Sequence, residues 1–168
     1  MNIKIIEIKA RCSDPQKIEK ILSELNADLK GTDHQTDTYF KCAEGRLKLR
    51  EGNIENSLIH YNRSDKSGPK LSEVNLMKLE KGSNLKSILS GSIGVLKTVI
   101  KKRKIFFIGN IKIHIDEVEG LGSFVEIEAI DEEGIYSEDQ LFEQCKELME
   151  KFSISGNDLI KTSYSDML

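Results

Sequence analysis

The chain has 168 residues, of which 38% are hydrophobic and 32% are charged, and this composition is typical of one folded domain with a real core. Its net charge of −3 argues against a general nucleic-acid-binding protein, which usually carries an excess of basic residues. No stretch of the sequence approaches the roughly 18 apolar residues that a membrane-spanning helix needs.

The cysteines and the first residues indicate the cellular setting. Cys12, Cys42 and Cys145 are odd in number and widely spaced, so they fit neither a disulfide framework nor a zinc motif. The sequence starts directly in a strand-like pattern and shows no secretory signal. We therefore expect one cytoplasmic domain over residues 1–168, a monomer or homodimer that acts without a membrane or nucleic-acid partner.

The first third of the chain predicts three strands and a helix. Residues 2–12 alternate between polar and apolar positions, as in a half-buried strand. A helix is predicted over about 14–26, because Ser13-Asp14-Pro15 is a typical helix start and apolar residues follow at helical spacing. Residues 36–42 and 45–51 are predicted to be two strands joined by a short turn.

The rest of the chain adds five strands and two helices. A loop of turn-forming residues separates predicted strands at 57–63 and 72–80, and apolar residues between Leu85 and Leu96 indicate a second helix. Three strands and a last helix are predicted at 98–108, 111–118, 123–130 and 137–152. About eight strands with few helices indicate an antiparallel α+β fold, and closure into a barrel would remove the sheet edges.

Several of these strands have one charged face, because residues two apart point to the same side. Arg46, Lys48 and Arg50 share a face at intervals of roughly 7 Å, while Glu126 and Glu128 share another face with the opposite sign. One interpretation is that these are solvated outer faces of an ordinary half-buried sheet. The separation of charge by strand indicates instead a site that holds both a polyanion and a cation.

The chemistry of such a site is consistent with a triphosphate and a metal ion. The many anionic oxygens of a triphosphate suit several Arg and Lys side chains, and clustered carboxylates suit Mg²⁺ or Mn²⁺. The metal would bridge phosphate oxygens and neutralise charge during phosphoryl transfer. Since dry burial of so many charges would be too costly, we expect a wet, open cavity.

Seven short blocks of the sequence are informative because of the order in which they occur along the chain. They are Glu7–Arg11, 35–40, 45–51, 58–70, 101–103, Lys112–Glu128 and 163–168. Together they resemble the CYTH family, also called the triphosphate tunnel metalloenzymes, over nearly the whole chain. The first block is similar to the opening E-x-E-x-K strand of that family, and Lys112–Glu128 resembles its most distinctive stretch.

The resemblance implies an eight-stranded antiparallel β-barrel with flanking helices, which forms a tunnel for a small-molecule triphosphate and for Mg²⁺ or Mn²⁺. The basic residues that it implies as triphosphate contacts are Lys9, Arg11, Arg46, Lys48, Arg50, Arg63, Lys101, Arg103 and Lys112. The acidic residues that it implies as metal ligands are Glu7, Asp116, Glu126 and Glu128. Asp116 has a second interpretation, which is an ion pair with a neighbouring arginine.

Two positions depart from the family pattern. Ile5 lies where the first Glu of E-x-E-x-K would be, which removes one potential metal ligand, and Lys112 lies where related sequences often have Arg. His114 is either a structural residue or a general acid or base. Lys161 and Tyr164 either close one end of the site or belong to a surface tail.

The family includes class IV adenylate cyclases, thiamine triphosphatases and inorganic triphosphatases, and the blocks here are most similar to its bacterial and archaeal branch. The resemblance therefore implies a metal-dependent enzyme that cleaves ATP or another triphosphate, as a class IV adenylate cyclase does. Two alternatives are a triphosphatase without cyclase activity and a non-catalytic polyphosphate-binding module. Cyclisation and hydrolysis both depend on positioning and charge stabilisation, so the charged faces do not distinguish them.

Overall fold

Eight antiparallel strands close into a barrel in the computed structural model, which describes residues 2–168. The strands are β1 (Asn2–Arg11), β2 (Asp28–Phe40), β3 (Arg46–Glu51), β4 (Asn56–Arg63), β5 (Lys70–Lys78), β6 (Val95–Ile108), β7 (Ile111–Val118) and β8 (Gly122–Asp131). The α-helices in these residues are α1 (Pro15–Glu24), α2 (Leu85–Ser92), α3 (Glu138–Lys151) and α4 (Tyr164–Met167). The order around the barrel is β1-β5-β4-β3-β2-β6-β7-β8, which confirms the predicted fold class.

Most predicted elements lie close to their observed bounds, with two differences. Strand β2 begins at Asp28, well before the predicted start at residue 36, because residues 28–35 contain only one large apolar residue, Leu29, and give no alternating signal. The predicted second helix does not reach Leu96. It ends at Ser92 because Gly94 adopts a φ of 83°, after which Val95 starts β6.

The main apolar core lies outside the barrel wall, between the sheet and the helices. Ile8 of β1 and Ile127 of β8 point outward and are buried under α1 and α3. Leu22 of α1 and Leu141 of α3 pack onto them and are also fully buried. Because successive strand residues alternate, Glu7 and Lys9 of β1 and Glu126 and Glu128 of β8 point to the opposite side, into the barrel interior.

A second apolar cluster lines part of the barrel interior. It consists of Ile3, Ile5, Ile59, Tyr61 and Val74. The cluster extends toward one end of the barrel, which we call the open mouth, where the loop of residues 52–55 joins β3 to β4. We call the opposite end the capped mouth, because α4 covers it.

The loop at the open mouth is fixed by a buried carboxylate. Asp33 of β2 is fully buried and accepts hydrogen bonds from the backbone N–H groups of Ile54 and Glu55, both at 2.9 Å. A Cβ on Gly52 would lie 2.5 Å from Asp33 Oδ1, so the loop can approach this carboxylate only with glycine at that position.

Replacing Gly52 with alanine should therefore destabilise the protein by about 1–3 kcal/mol, because the carboxylate is held in place and the barrel must distort. Urea denaturation would measure this change. The control is Gly91→Ala in α2, where the added Cβ meets nothing within 4 Å. That variant should be stabilised by up to about 1 kcal/mol through helix propensity alone. Equal stability of the two variants would contradict the described packing.

Candidate functional site

The centre of the barrel contains a small polar cavity of about 90 Å³. A water molecule occupies about 30 Å³ in the liquid, so a cavity of this volume has room for about three water molecules. Six of the nine predicted triphosphate contacts line it: Lys9, Lys48, Arg50, Arg63, Lys101 and Arg103. Three of the four predicted metal ligands also line it or lie against it: Glu7, Glu126 and Glu128.

Asp37 of β2 is the counter-ion of one group of these cations. Arg50 donates two hydrogen bonds to its carboxylate at 2.9 and 2.8 Å, Lys101 donates one at 2.6 Å, and Lys48 Nζ lies 3.4 Å away. Burial alone would raise the pKa of Asp37, but Arg50 and Lys101 hold that pKa well below its ordinary value. Burial also lowers the pKa of Lys101 to about 7, although Asp37 opposes this shift.

Asp116 of β7 is bound by an arginine in this structure. Arg103 donates to its two carboxylate oxygens at 2.7 and 2.6 Å, and the hydroxyl of Tyr164 donates to Oδ2 at 2.7 Å. All three side chains are buried. The arginine pair that was the second interpretation of Asp116 is therefore present, and the carboxylate could bind a metal only by giving up these partners.

Three glutamates are brought together where β1 pairs with β8. Glu7 lies directly opposite Glu128 in the strand register, and like charges in that position are destabilising. Glu7 is compensated by an ion pair with Arg63, and Glu126 Oε1 lies 3.5 Å from Lys9 and 3.4 Å from Arg103. Within residues 2–168, Glu128 has no Lys or Arg partner within 4.0 Å.

His114 of β7 lies against the same glutamates. Its Nδ1 atom is 3.5 Å from Glu126 Oε2 and 3.9 Å from Glu128 Oε1, and the ring is only 1% exposed. Neither ring nitrogen has a hydrogen-bond partner among the residues that the structure describes. Burial, and next the charge of Arg103, lower the pKa of His114 below its ordinary value, although Glu128 and Glu126 oppose this shift.

This cluster fits a divalent cation. Ligand atoms of His114, Glu126 and Glu128 all lie within 4.8 Å of one another. A carboxylate without a cationic partner needs a positive group nearby, and a buried imidazole without a hydrogen bond needs a polar partner or a metal ion. A metal ion held there would satisfy both groups at once.

The other three predicted triphosphate contacts lie away from the inner cavity. Arg46 is at the capped mouth, where it contacts Asp166 at 2.5 Å. Arg11 is exposed, with its guanidinium 5.3 Å from the centre of the Phe124 ring. Lys112 lies at the open mouth, where it forms an ion pair with Glu55.

The open mouth widens into a second cavity of about 400 Å³. Ile3, Ile5, Val74 and Phe107 give it an apolar wall, and Arg50 and Glu128 border both this cavity and the inner one. Ile5, which lies where the family pattern has a glutamate, is therefore part of an apolar wall next to the polar centre.

The capped mouth is closed by the residues around α4. Tyr164 is 3% exposed, and Lys9 Nζ lies 3.8 Å from the centre of its ring. Ser163 accepts a hydrogen bond from Arg63 at 2.7 Å, and its hydroxyl lies 3.0 Å from that of Tyr61. Tyr164 thus belongs to the end of the site rather than to a surface tail.

Comparisons with known proteins agree with this architecture. A family model described as CYTH domain matches residues 4–164. A relative from Methanocaldococcus jannaschii named "Putative adenylate cyclase" is 25% identical over 96% of this chain and 97% of its own. Within residues 2–168, no helix is long and apolar enough to cross a membrane.

Two solved structures illustrate the shared fold. A protein from Pyrococcus horikoshii superposes with a TM-score of 0.84 at 19% identity, covering 98% of this chain and 99% of that one. A Hippeastrum protein, whose structure is described as revealing a dominant triphosphatase activity, superposes with a TM-score of 0.59 at 16% identity. That match covers 99% of this chain and 93% of the other.

Proposed function

The chain belongs to the CYTH family, and we propose that it binds a triphosphate inside the barrel and cleaves it with the help of a divalent metal ion. The observation that carries this proposal is the inner face of the barrel, where six basic side chains and three glutamates border one cavity. A polyanion and a cation are the ligands that satisfy both sets of charges together.

The basic residues would bind the triphosphate by exchanging partners. Arg50 and Lys101 now donate hydrogen bonds to Asp37, and Arg63 now forms an ion pair with Glu7. Phosphate oxygens can take the place of these carboxylates, because Arg and Lys bind phosphate with charge-assisted hydrogen bonds. Binding of the triphosphate would free Glu7 for a metal ion, so the two ligands should bind cooperatively.

Glu7, Glu126 and Glu128 are the residues that would hold the metal ion, with Asp116 available only after it leaves Arg103. Mg²⁺ and Mn²⁺ both suit carboxylate oxygens. A bound ion would neutralise the charge that develops on the phosphate oxygens. The remaining charge stabilisation comes from the fixed Arg and Lys side chains of the wall.

Two reactions are compatible with this site. A cyclase directs the ribose 3′-hydroxyl at the α-phosphorus and releases pyrophosphate, whereas a triphosphatase directs a water molecule at the terminal phosphorus. The apolar wall formed by Ile3, Ile5 and Phe107 at the open mouth supports an organic group attached to the triphosphate. ATP or another organic triphosphate is therefore the preferred substrate class over inorganic triphosphate.

The test is product analysis after incubation with ATP or tripolyphosphate and either Mg²⁺ or Mn²⁺. Cyclic AMP with pyrophosphate would identify a cyclase, and orthophosphate would identify a triphosphatase. Either product should require the metal and should disappear in EDTA. Tight binding of the triphosphate without any turnover would instead identify a polyphosphate-binding module and would contradict the proposed enzyme.

Binding of the triphosphate at pH 8 should take up as much as about one proton, because burial lowers the pKa of Lys101 to about 7 in the free protein. A polyanion beside this amine favours its charged form and raises its pKa, so the amine binds a proton. Calorimetric titration of tripolyphosphate in buffers of different ionisation enthalpy measures this number. Lys101→Met should lose most of the uptake, and a binding heat that is independent of the buffer would contradict the role of Lys101.

A further inference from the structure

His114 has chemical properties that the proposed function leaves unexplained. It is 1% exposed, and neither ring nitrogen forms a hydrogen bond within residues 2–168. A buried polar atom without a partner costs about 1–3 kcal/mol, so such atoms usually mark a missing ligand or water. The imidazole lies inside a barrel that is otherwise rich in hydrogen-bonding groups.

The two oxygens of Glu126 have different surroundings. Its Oε1 atom lies 3.5 Å from Lys9 and 3.4 Å from Arg103, so these two basic side chains already compensate the charge of that oxygen. Its Oε2 atom lies 3.5 Å from His114 Nδ1 instead. Glu128 Oε1 lies 3.9 Å from the same nitrogen and has no Lys or Arg partner in the described chain. Glu126 Oε2, Glu128 Oε1 and His114 Nδ1 therefore lie close together at a place that Lys9 and Arg103 leave free.

The separations suit coordination of a single ion. An ion about 2.2 Å from each ligand atom allows two ligand atoms to lie at most about 4.4 Å apart. All three ligand atoms lie within 4.8 Å of one another, so a shift of a glutamate side chain by at most about 0.4 Å brings every pair within this limit. The distances of 3.5 and 3.9 Å from His114 Nδ1 to the two glutamates already fall within it. They are too long for good N–H···O hydrogen bonds, which span about 2.7–3.2 Å.

The position of His114 argues against a role as a general acid or base. A catalytic base must reach the reacting proton directly or through one water molecule. His114 does not border the inner cavity, whereas Glu126 and Glu128 do. The two glutamates therefore separate the imidazole from the place where a triphosphate would lie.

We propose that His114 supplies a nitrogen ligand to the metal ion that Glu126 and Glu128 bind, which makes the site a mixed nitrogen and oxygen site. This inference rests on the proposed function and specifies which metal ion the site prefers. Imidazole is a ligand typical of transition metals, whereas Mg²⁺ favours oxygen ligands and retained water. The site should therefore bind Mn²⁺ more tightly than Mg²⁺.

The first test is pulsed electron paramagnetic resonance of Mn²⁺ bound to the purified protein without any triphosphate. We expect the modulation of a directly bound imidazole ¹⁴N nucleus, and we expect it to be lost when Glu128→Gln removes a ligand. Bound Mn²⁺ that depends on Glu128 but shows no nitrogen coupling would overturn the inference while leaving the proposed function intact. Failure of Mn²⁺ to bind even at millimolar concentration, with or without tripolyphosphate, would overturn both.

The second test compares two His→Gln variants by calorimetric titration with each metal. His114→Gln should weaken Mn²⁺ binding at least about tenfold and Mg²⁺ binding less than about threefold, because only Mn²⁺ gains from nitrogen. His34→Gln is the matched control, since His34 is exposed on β2, and it should change neither affinity. Equal losses for both metals in His114→Gln would overturn the inference. If His114→Gln does not fold, the nitrogen signal of the wild-type protein decides the question.

Discussion

Replacing Glu128 with glutamine should reduce metal-dependent turnover at least about 100-fold and should also make the metal-free protein slightly more stable. The loss of activity follows because a metal ion contributes several kcal/mol of charge stabilisation, and each 1.36 kcal/mol is a factor of ten in rate. Glutamine keeps the shape of the side chain but removes the negative charge that attracts the ion.

The gain in stability follows from the strand register. Glu128 lies directly opposite Glu7 on one side and Lys112 on the other, but Lys112 is paired with Glu55 instead. Within residues 2–168, Glu128 has no Lys or Arg partner within 4.0 Å. Removing its charge relieves a repulsion of about 0.2–1 kcal/mol without leaving any cation unpaired. Residues that are kept at a cost to stability are typical of functional sites.

Urea denaturation in EDTA and the product assay with Mn²⁺ would measure the two effects. The matched control is Glu117→Gln, since Glu117 is exposed on the outer face of the neighbouring strand β7, and it should change neither quantity measurably. A Glu128→Gln variant that keeps full turnover would contradict the metal site. A variant that loses stability would contradict the described isolation of this carboxylate.

Replacing Asp37 with asparagine should destabilise the metal-free protein by about 3–5 kcal/mol. Asp37 is fully buried and is the shared partner of Arg50, Lys101 and Lys48. Removing one member of a buried ion pair leaves uncompensated charge in the interior, and this is among the most costly single substitutions. Asparagine has nearly the same shape, so the loss would come from charge rather than from packing.

Tripolyphosphate should reverse most of this destabilisation, because a bound polyanion supplies the missing negative charge. Thermal unfolding with and without tripolyphosphate should therefore show a larger rise in Tm for Asp37→Asn than for the wild-type protein. Asp28→Asn is the control, since Asp28 is exposed at the far end of β2. A destabilised variant that tripolyphosphate does not rescue would show that Asp37 does not occupy the place of a phosphate.

The sequence predicts the fold well where the strands alternate strictly. Strand β7 matches its predicted bounds, because Ile113 and Ile115 alternate with Lys112 and His114. Alternation does not show which face of a strand is inside, since a tunnel wall and a solvated sheet have the same period of two. Only the packing of Ile8 and its neighbours under α1 and α3 makes the charged face the inner one.

The site is less predictable than the fold, because contacts between strands depend on register. The charge pattern indicates the glutamates but not Asp37, whose nearest neighbours on its face of the strand are the uncharged Gln35 and Tyr39. The alternating pattern also does not show how far along the barrel axis a residue lies. Arg46 shares a face with Lys48 and Arg50, yet it lies beyond them at the capped mouth.

The central claim is that the inner face of the barrel is a triphosphate site, and the most direct test is calorimetric titration of tripolyphosphate into the protein in EDTA. We predict one bound triphosphate per chain, with an affinity that falls as salt increases because the contacts are ionic. The affinity should fall further in Arg50→Met, since Arg50 lines the inner cavity. An absence of saturable binding, or unchanged binding in Arg50→Met, would contradict the claim.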